Sequence, residues 1–86
     1  MYILDIIYKK YIDKKNIVSL QHIEWLKYYS DKKIFIIIGQ EKNYDEIIFV
    51  QNINRSYLEY ILNKDPIRDI VNYRVKKINI FPYTSI

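Results

Sequence analysis

The run Ile34-Phe-Ile-Ile-Ile38 constrains this chain more than any other stretch. It is too short to cross a bilayer, it is rich in β-branched residues, and polar residues bound it, so it reads as a buried strand. A second run, Ile47-Ile-Phe-Val50, lies beyond Glu41-Lys-Asn-Tyr-Asp45. Asn43 is the residue in that connection best able to take a positive φ, and the two runs are expected to form a hairpin around it.

The flanking segments supply the remaining elements. Residues 2 to 8 alternate, with Tyr2, Leu4, Ile6 and Tyr8 on one face and Ile3, Asp5 and Ile7 on the other, as a strand requires. From Ile17 to Ser30 the apolar period becomes helical, placing Val18, His22, Trp25, Leu26 and Tyr29 on one stripe, with Asn16 as the expected N-cap. Asn54 is positioned to cap a second helix with the stripe Tyr57, Leu58, Ile61 and Leu62, and Asp65-Pro66 ends it. Tyr73 to Phe81 reads as the last strand, closed by Pro82. The order β-α-β-β-α-β is that of a ferredoxin-like α+β sandwich with an antiparallel four-stranded sheet.

Eighty-six residues provide for one core, so residues 1–86 are expected to form a single domain. Half of the residues are apolar and none is cysteine, which excludes a disulfide-stapled scaffold, a thiolate metal site and a cysteine nucleophile. The N-terminal stretch has no basic region and is interrupted by Asp5, so it does not read as a signal peptide, and a cytoplasmic location is the expectation. The net charge of +4 could suggest nucleic acid, but the chain holds 19 Ile, 11 Lys, 7 Asn and 10 Tyr with no Ala, a bias shared by residues with A/T-rich codons. The lysines are scattered and there is no arginine stripe, so neither a nucleic-acid partner nor a membrane partner is expected. Two helices cover one face of such a sheet, yet the strands of the hairpin are apolar on both faces. A homodimer packed sheet against sheet would bury the second face.

The chemistry rests on few residues. His22, the single histidine, shares a stripe with Trp25, Leu26 and Tyr29 and is either a packed structural imidazole or a general base. Asp65, before Pro66, is either the cap of a helical turn or a carboxylate that orients the histidine, and the two roles are compatible. Asp5 is a further carboxylate, read as an edge charge rather than a barrel-mouth acid. Gly39 is the single glycine, so there is no glycine-rich phosphate loop, and no histidine or acidic spacing suits a metal; no cofactor or metal is expected. A catalytic reading requires His22 and Asp65 to lie within hydrogen-bond reach beside a concave pocket.

The segment His22-Ile-Glu-Trp-Leu-Lys-Tyr-Tyr-Ser-Asp-Lys-Lys-Ile-Phe-Ile-Ile-Ile-Gly39, followed by a hairpin, by Leu58-Glu-Tyr-Ile-Leu-Asn-Lys-Asp65-Pro66 and by a closing strand to Phe81-Pro82, resembles the YciI-like (YCII-related) family over nearly the whole chain. The resemblance implies a dimeric α+β barrel and a pocket site in which His22 and Asp65 are the catalytic pair. It further implies a small-molecule lyase or isomerase of the dehydrochlorinase or muconolactone-isomerase kind, with neutral His22 removing a proton α to a carbonyl and Asp65 holding the ring. The alternative is a non-catalytic dimeric barrel that binds a small ligand or a protein. The chain departs from the family pattern at Gln40 after Gly39, at Ile67 after Asp65-Pro66, and in Asp69-Ile-Val71, where the family has a glycine.

Overall fold

A computed structural model describes residues 1–13 and 19–80. Strands β1 (Tyr2–Tyr8), β2 (Phe35–Gln40), β3 (Glu46–Val50) and β4 (Val71–Lys77) form one antiparallel sheet in the order β2-β3-β1-β4. Helices α1 (Leu20–Asp31) and α2 (Arg55–Asn63) pack on one face, and a short 3-10 turn, Arg68–Ile70, precedes β4. This is the α+β sandwich with the ferredoxin-like order of elements. Among the described residues no helix is long and apolar enough to cross a membrane.

The core follows the inward positions of the alternating strands. Tyr2, Leu4 and Ile6 of β1 and Ile48 and Val50 of β3 meet Trp25 and Tyr29 of α1 and Leu58, Ile61 and Leu62 of α2. Trp25 is the central piece: its indole N–H donates to the Ile61 carbonyl at 3.0 Å, tying the two helices together, and its ring meets Phe35 edge-on at 5.2 Å. Burial of that N–H is tolerated because the bond satisfies it.

Several local expectations need correction. Helix α1 starts at Leu20, capped by the Ser19 side chain, which accepts from the His22 amide; Asn16 lies outside the described residues. Strand β2 is an edge strand rather than a buried one, with only Phe35 buried, because the strand order leaves its outer side unpaired and Ile37 faces the side of the sheet opposite the helices. A bulge between Phe35 and Ile37 makes Ile36 the extra residue. Asp5, conversely, is on the central strand β1, where it pairs with Ile47 and Arg74, so it is no edge charge. Strand β4 begins at Val71 and ends at Lys77, and Phe81 and Pro82 lie outside the described residues.

The hairpin connection also differs in detail. Tyr44, not Asn43, takes the left-handed conformation, at φ 71°. The Asn43 side chain instead accepts from the Asp45 amide at 3.1 Å and donates to the Asp45 carboxylate at 3.0 Å. With Tyr44 N–H on the Glu41 carbonyl and Glu41 N–H on the Asp45 carbonyl, the loop has the form of a type I turn closed by one left-handed residue.

Helix α1 ends in a Schellman motif: Ile34 N–H reaches the Tyr29 carbonyl and Lys33 N–H the Ser30 carbonyl, with Lys33 at φ 63°. A left-handed non-glycine residue there costs about 1 kcal/mol through its Cβ. Lys33→Gly is therefore expected to raise the unfolding free energy by roughly 0.5–1 kcal/mol, read from urea denaturation; a loss of stability would contradict this account of the cap.

Candidate functional site

Four elements converge at one end of the sheet. The register places Glu46 of β3, Ile6 of β1 and Tyr73 of β4 in one row across the sheet. Helix α1 lowers His22 toward that row, held by the Ser19 cap on its own amide. The chain after α2 delivers Asp65, because Pro66 cannot continue the helix.

His22 is 4% exposed and both its ring nitrogens are engaged. Nδ1 lies 2.7 Å from Asp65 Oδ1 and Nε2 lies 2.7 Å from Glu46 Oε1. The imidazole also stacks on Trp25 with centroids 5.4 Å apart. Asp65 is fully buried and has further donors: the Tyr73 hydroxyl at 2.6 Å on Oδ2 and the Ile67 amide at 3.2 Å on Oδ1. The carboxylate thus bonds the turn that follows α2 and the histidine at once, and the two contacts expected as alternatives coexist. Among the described residues, no buried side-chain nitrogen or oxygen lacks a partner.

Electrostatics favour a cation between the carboxylates. Burial by itself pushes the His22 pKa down, but the hydrogen bonds to Asp65 and Glu46 and their charges outweigh it, raising the pKa from 6.5 to about 9. Both nitrogens then donate, as two flanking acceptors require. The Tyr73 hydroxyl is pushed up by burial and by its bond to Asp65. Tyr8, at the end of β1, is raised by burial and by the charges of Glu46, Asp65 and Asp45, and the Asp45 carboxylate accepts from the Tyr8 amide at 3.1 Å.

His22 and Asp65, both singled out from the sequence, are therefore in contact. Asp5 is not with them: Leu4 and Ile6 beside it point into the helix-covered core, which puts Asp5 on the opposite face. Glu46 and Tyr73 were not foreseen. Glu46 had a legible signal, since extending the inward alternation of Ile48 and Val50 back by two residues puts a carboxylate in the core; Tyr73 had none beyond its place in β4. Of the two conditions for a catalytic reading, hydrogen-bond reach between His22 and Asp65 is met, whereas the pocket is not beside them. One concavity is lined by Ser30, Lys33, Phe35, Ile36 and Gln51, another by Ile37, Gly39, Ile47 and Phe49, and neither His22 nor Asp65 lines either. Among the described residues no group of three or more His, Cys, Asp or Glu side chains is arranged to hold a metal ion. No protein-family model matches the chain, and no curated protein matches it.

The imidazole bridge makes stability depend on pH. The folded pKa of about 9 stands above the ordinary value of 6.5, so the stabilisation is complete below pH 6.5 and is lost as pH rises through about 9. Unfolding free energy is expected to decline across that window, and His22→Gln is expected to flatten the decline. An equal slope in both proteins would show that another group is responsible.

Proposed function

We propose that this chain is a YciI-like acid–base protein, a small-molecule lyase or isomerase in which His22 moves a proton and Asp65 positions it. The observation that carries this reading is the buried Asp65–His22–Glu46 chain, with 2.7 Å at each link. Buried ion pairs seldom stabilise a fold more than apolar residues of the same volume, so three ionisable side chains in one small core point to a use beyond packing. Deprotonated at Nε2, His22 would remove a proton α to a carbonyl; the released electron pair forms a double bond and either expels a β leaving group or is reprotonated elsewhere on the substrate. Asp65, held by Tyr73 and Ile67, keeps Nδ1–H fixed and stabilises the imidazolium that results.

The reading is tested by proton NMR in D2O on a panel of small enol lactones and 2-oxo acids. Protein-dependent exchange of the α-proton is expected, with a loss on the order of 10²-fold or more in His22→Asn. No exchange with the native protein, or equal exchange in the variant, would contradict it.

A second reading, a non-catalytic dimeric barrel, is favoured by the occupied Nε2 and by the open face of the sheet. Alternation and register bring Ile3, Ile7, Ile37, Ile47 and Phe49 to that face, with Asp5 among them between Ile47 and Arg74, and Asn72, Arg74 and Lys76 along its β4 side. Gly39 leaves a depression between Ile37, Ile47 and Phe49, since a Cβ there would meet only the Ile47 carbonyl at 3.9 Å. Pairing with a second copy would bury this patch at about 25 cal/mol per Å² of apolar area. The homodimer is compatible with either reading, and a chain without cysteine suits the reducing cytoplasm. Sedimentation is expected to give twice the chain mass at micromolar concentration and a monomer for Ile37→Lys; a monomeric native protein would remove the dimer from the account.

A further inference from the structure

The two carboxylates on His22 are unequal. Asp65 is fully buried and anchored by Tyr73 and by the Ile67 amide. The Glu46 side chain retains 11% exposure, and among the described residues the imidazole is its single hydrogen-bond partner. It stands at the first residue of β3, directly after the turn that holds Tyr44 in the left-handed region. One partner is thus tied to the fold by several bonds, while the other is held by the imidazole alone among the described residues.

We propose that Glu46 is a proton-accepting cap on His22, which masks Nε2 in the resting protein and uncovers it when it takes the proton and turns outward. This rests on the acid–base reading of the site and supplies what that reading lacks, a free nitrogen. Across 2.7 Å the Nε2 proton passes to Glu46 Oε1, converting an imidazolium–carboxylate pair into a neutral imidazole and a carboxylic acid with no change in total charge. The neutral acid loses its ionic hold on the ring and can turn toward water. Nε2 then offers its lone pair, while Nδ1–H stays on Asp65. When the ring takes a substrate proton it is a cation again, and the Glu46 proton is available to the leaving group or to the carbon to be reprotonated.

The groups facing the imidazole agree with this division. Asp65 reaches it from the segment after α2 and Glu46 from β3, with Tyr73 of β4 behind Asp65. Tyr8 of β1 feels the charges of Glu46, Asp65 and Asp45 from the rim, and its amide donates to the Asp45 carboxylate. Indole stacking from Trp25 closes the remaining side. Of the two carboxylates that hold the ring, only Glu46 keeps any exposure, at 11% of its side chain. Glu46 is a positioning and gating residue, and its effect is legible in the state of the histidine without any substrate.

His22 is the single histidine, and its acylation by diethyl pyrocarbonate, which also modifies lysine, tyrosine and the amino terminus, is read by tandem mass spectrometry of the peptide that carries it. In the native protein at pH 7 the reaction is expected to be slow and to accelerate toward pH 9. Glu46→Gln is expected to lower the His22 pKa, followed by NMR, by about one unit or more. Glu46→Ala, checked by circular dichroism to be folded, is expected to be acylated at least about tenfold faster than the native protein at pH 7. Glu46→Asp should restore slow acylation. An unchanged pKa in Glu46→Gln together with unchanged acylation in Glu46→Ala would overturn the cap. That outcome leaves α-proton exchange by the native protein and its loss in His22→Asn as they stand, so failure of the cap is distinct from failure of the acid–base reading. Should neither variant fold, native acylation that follows the ordinary histidine range rather than rising toward pH 9 overturns the cap equally.

Discussion

One imidazole, held between two carboxylates, joins most of the elements of this small fold. His22 comes from α1, Glu46 from β3 and Asp65 from the chain beyond α2, and Tyr73 adds β4 through Asp65. Each link is short and shielded from water, so the attraction is weakly screened, and each polar atom of the set is satisfied. Removing any one charged member strands the others: breaking such a buried pair costs about 3–5 kcal/mol, a large share of what a domain of this size has. Trp25 links the bridge to the apolar core, stacking on the imidazole with one face and bonding α2 through its N–H.

The same arrangement explains why a base and a structural cation are difficult to tell apart at this position. An imidazole that is to accept a proton must be kept from solvent and from the wrong tautomer, and the bond from Nδ1 to Asp65 achieves both. A second carboxylate on Nε2 stabilises the cation and raises the basicity, but it leaves little neutral imidazole and covers the nitrogen that would take a substrate proton. The two carboxylates differ in anchoring: Asp65 is held by the imidazole, the Tyr73 hydroxyl and the Ile67 amide, and Glu46 by the imidazole alone among the described residues. The two faces of the sheet accordingly differ in character, one carrying a satisfied polar cluster at its end and the other an apolar patch bordered by the basic residues of β4.

The fold was legible in the sequence wherever a pattern was local. Alternation in Tyr2 to Tyr8 gave β1 and the division of its two faces, though not which of them is buried, and Asn54 and Asp65-Pro66 bounded α2 because capping and the proline restriction act over one turn of chain. Properties that depend on strand order were not legible. Five apolar residues look the same in an edge strand as in a central one, so Ile34 to Ile38 read as buried, while Asp5 read as an edge charge although β1 lies in the middle. At the hairpin, Asn43 is the better left-handed residue on intrinsic grounds, but its side chain is used to hold Asp45, and the strain passes to Tyr44. Of the site, His22 and Asp65 stood out by rarity and by the adjoining proline. Glu46 was hidden by a one-residue error in the start of β3, which left it between the turn and the strand.

The state of the His22 ring nitrogens tests this account most directly. A nitrogen-15 correlation spectrum of the native protein at pH 7 is expected to show both Nδ1 and Nε2 protonated, with two low-field protons slow to exchange with water, as a cation bridging Asp65 and Glu46 requires. A neutral tautomer, with one nitrogen bare and its lone pair unshared at that pH, would contradict it.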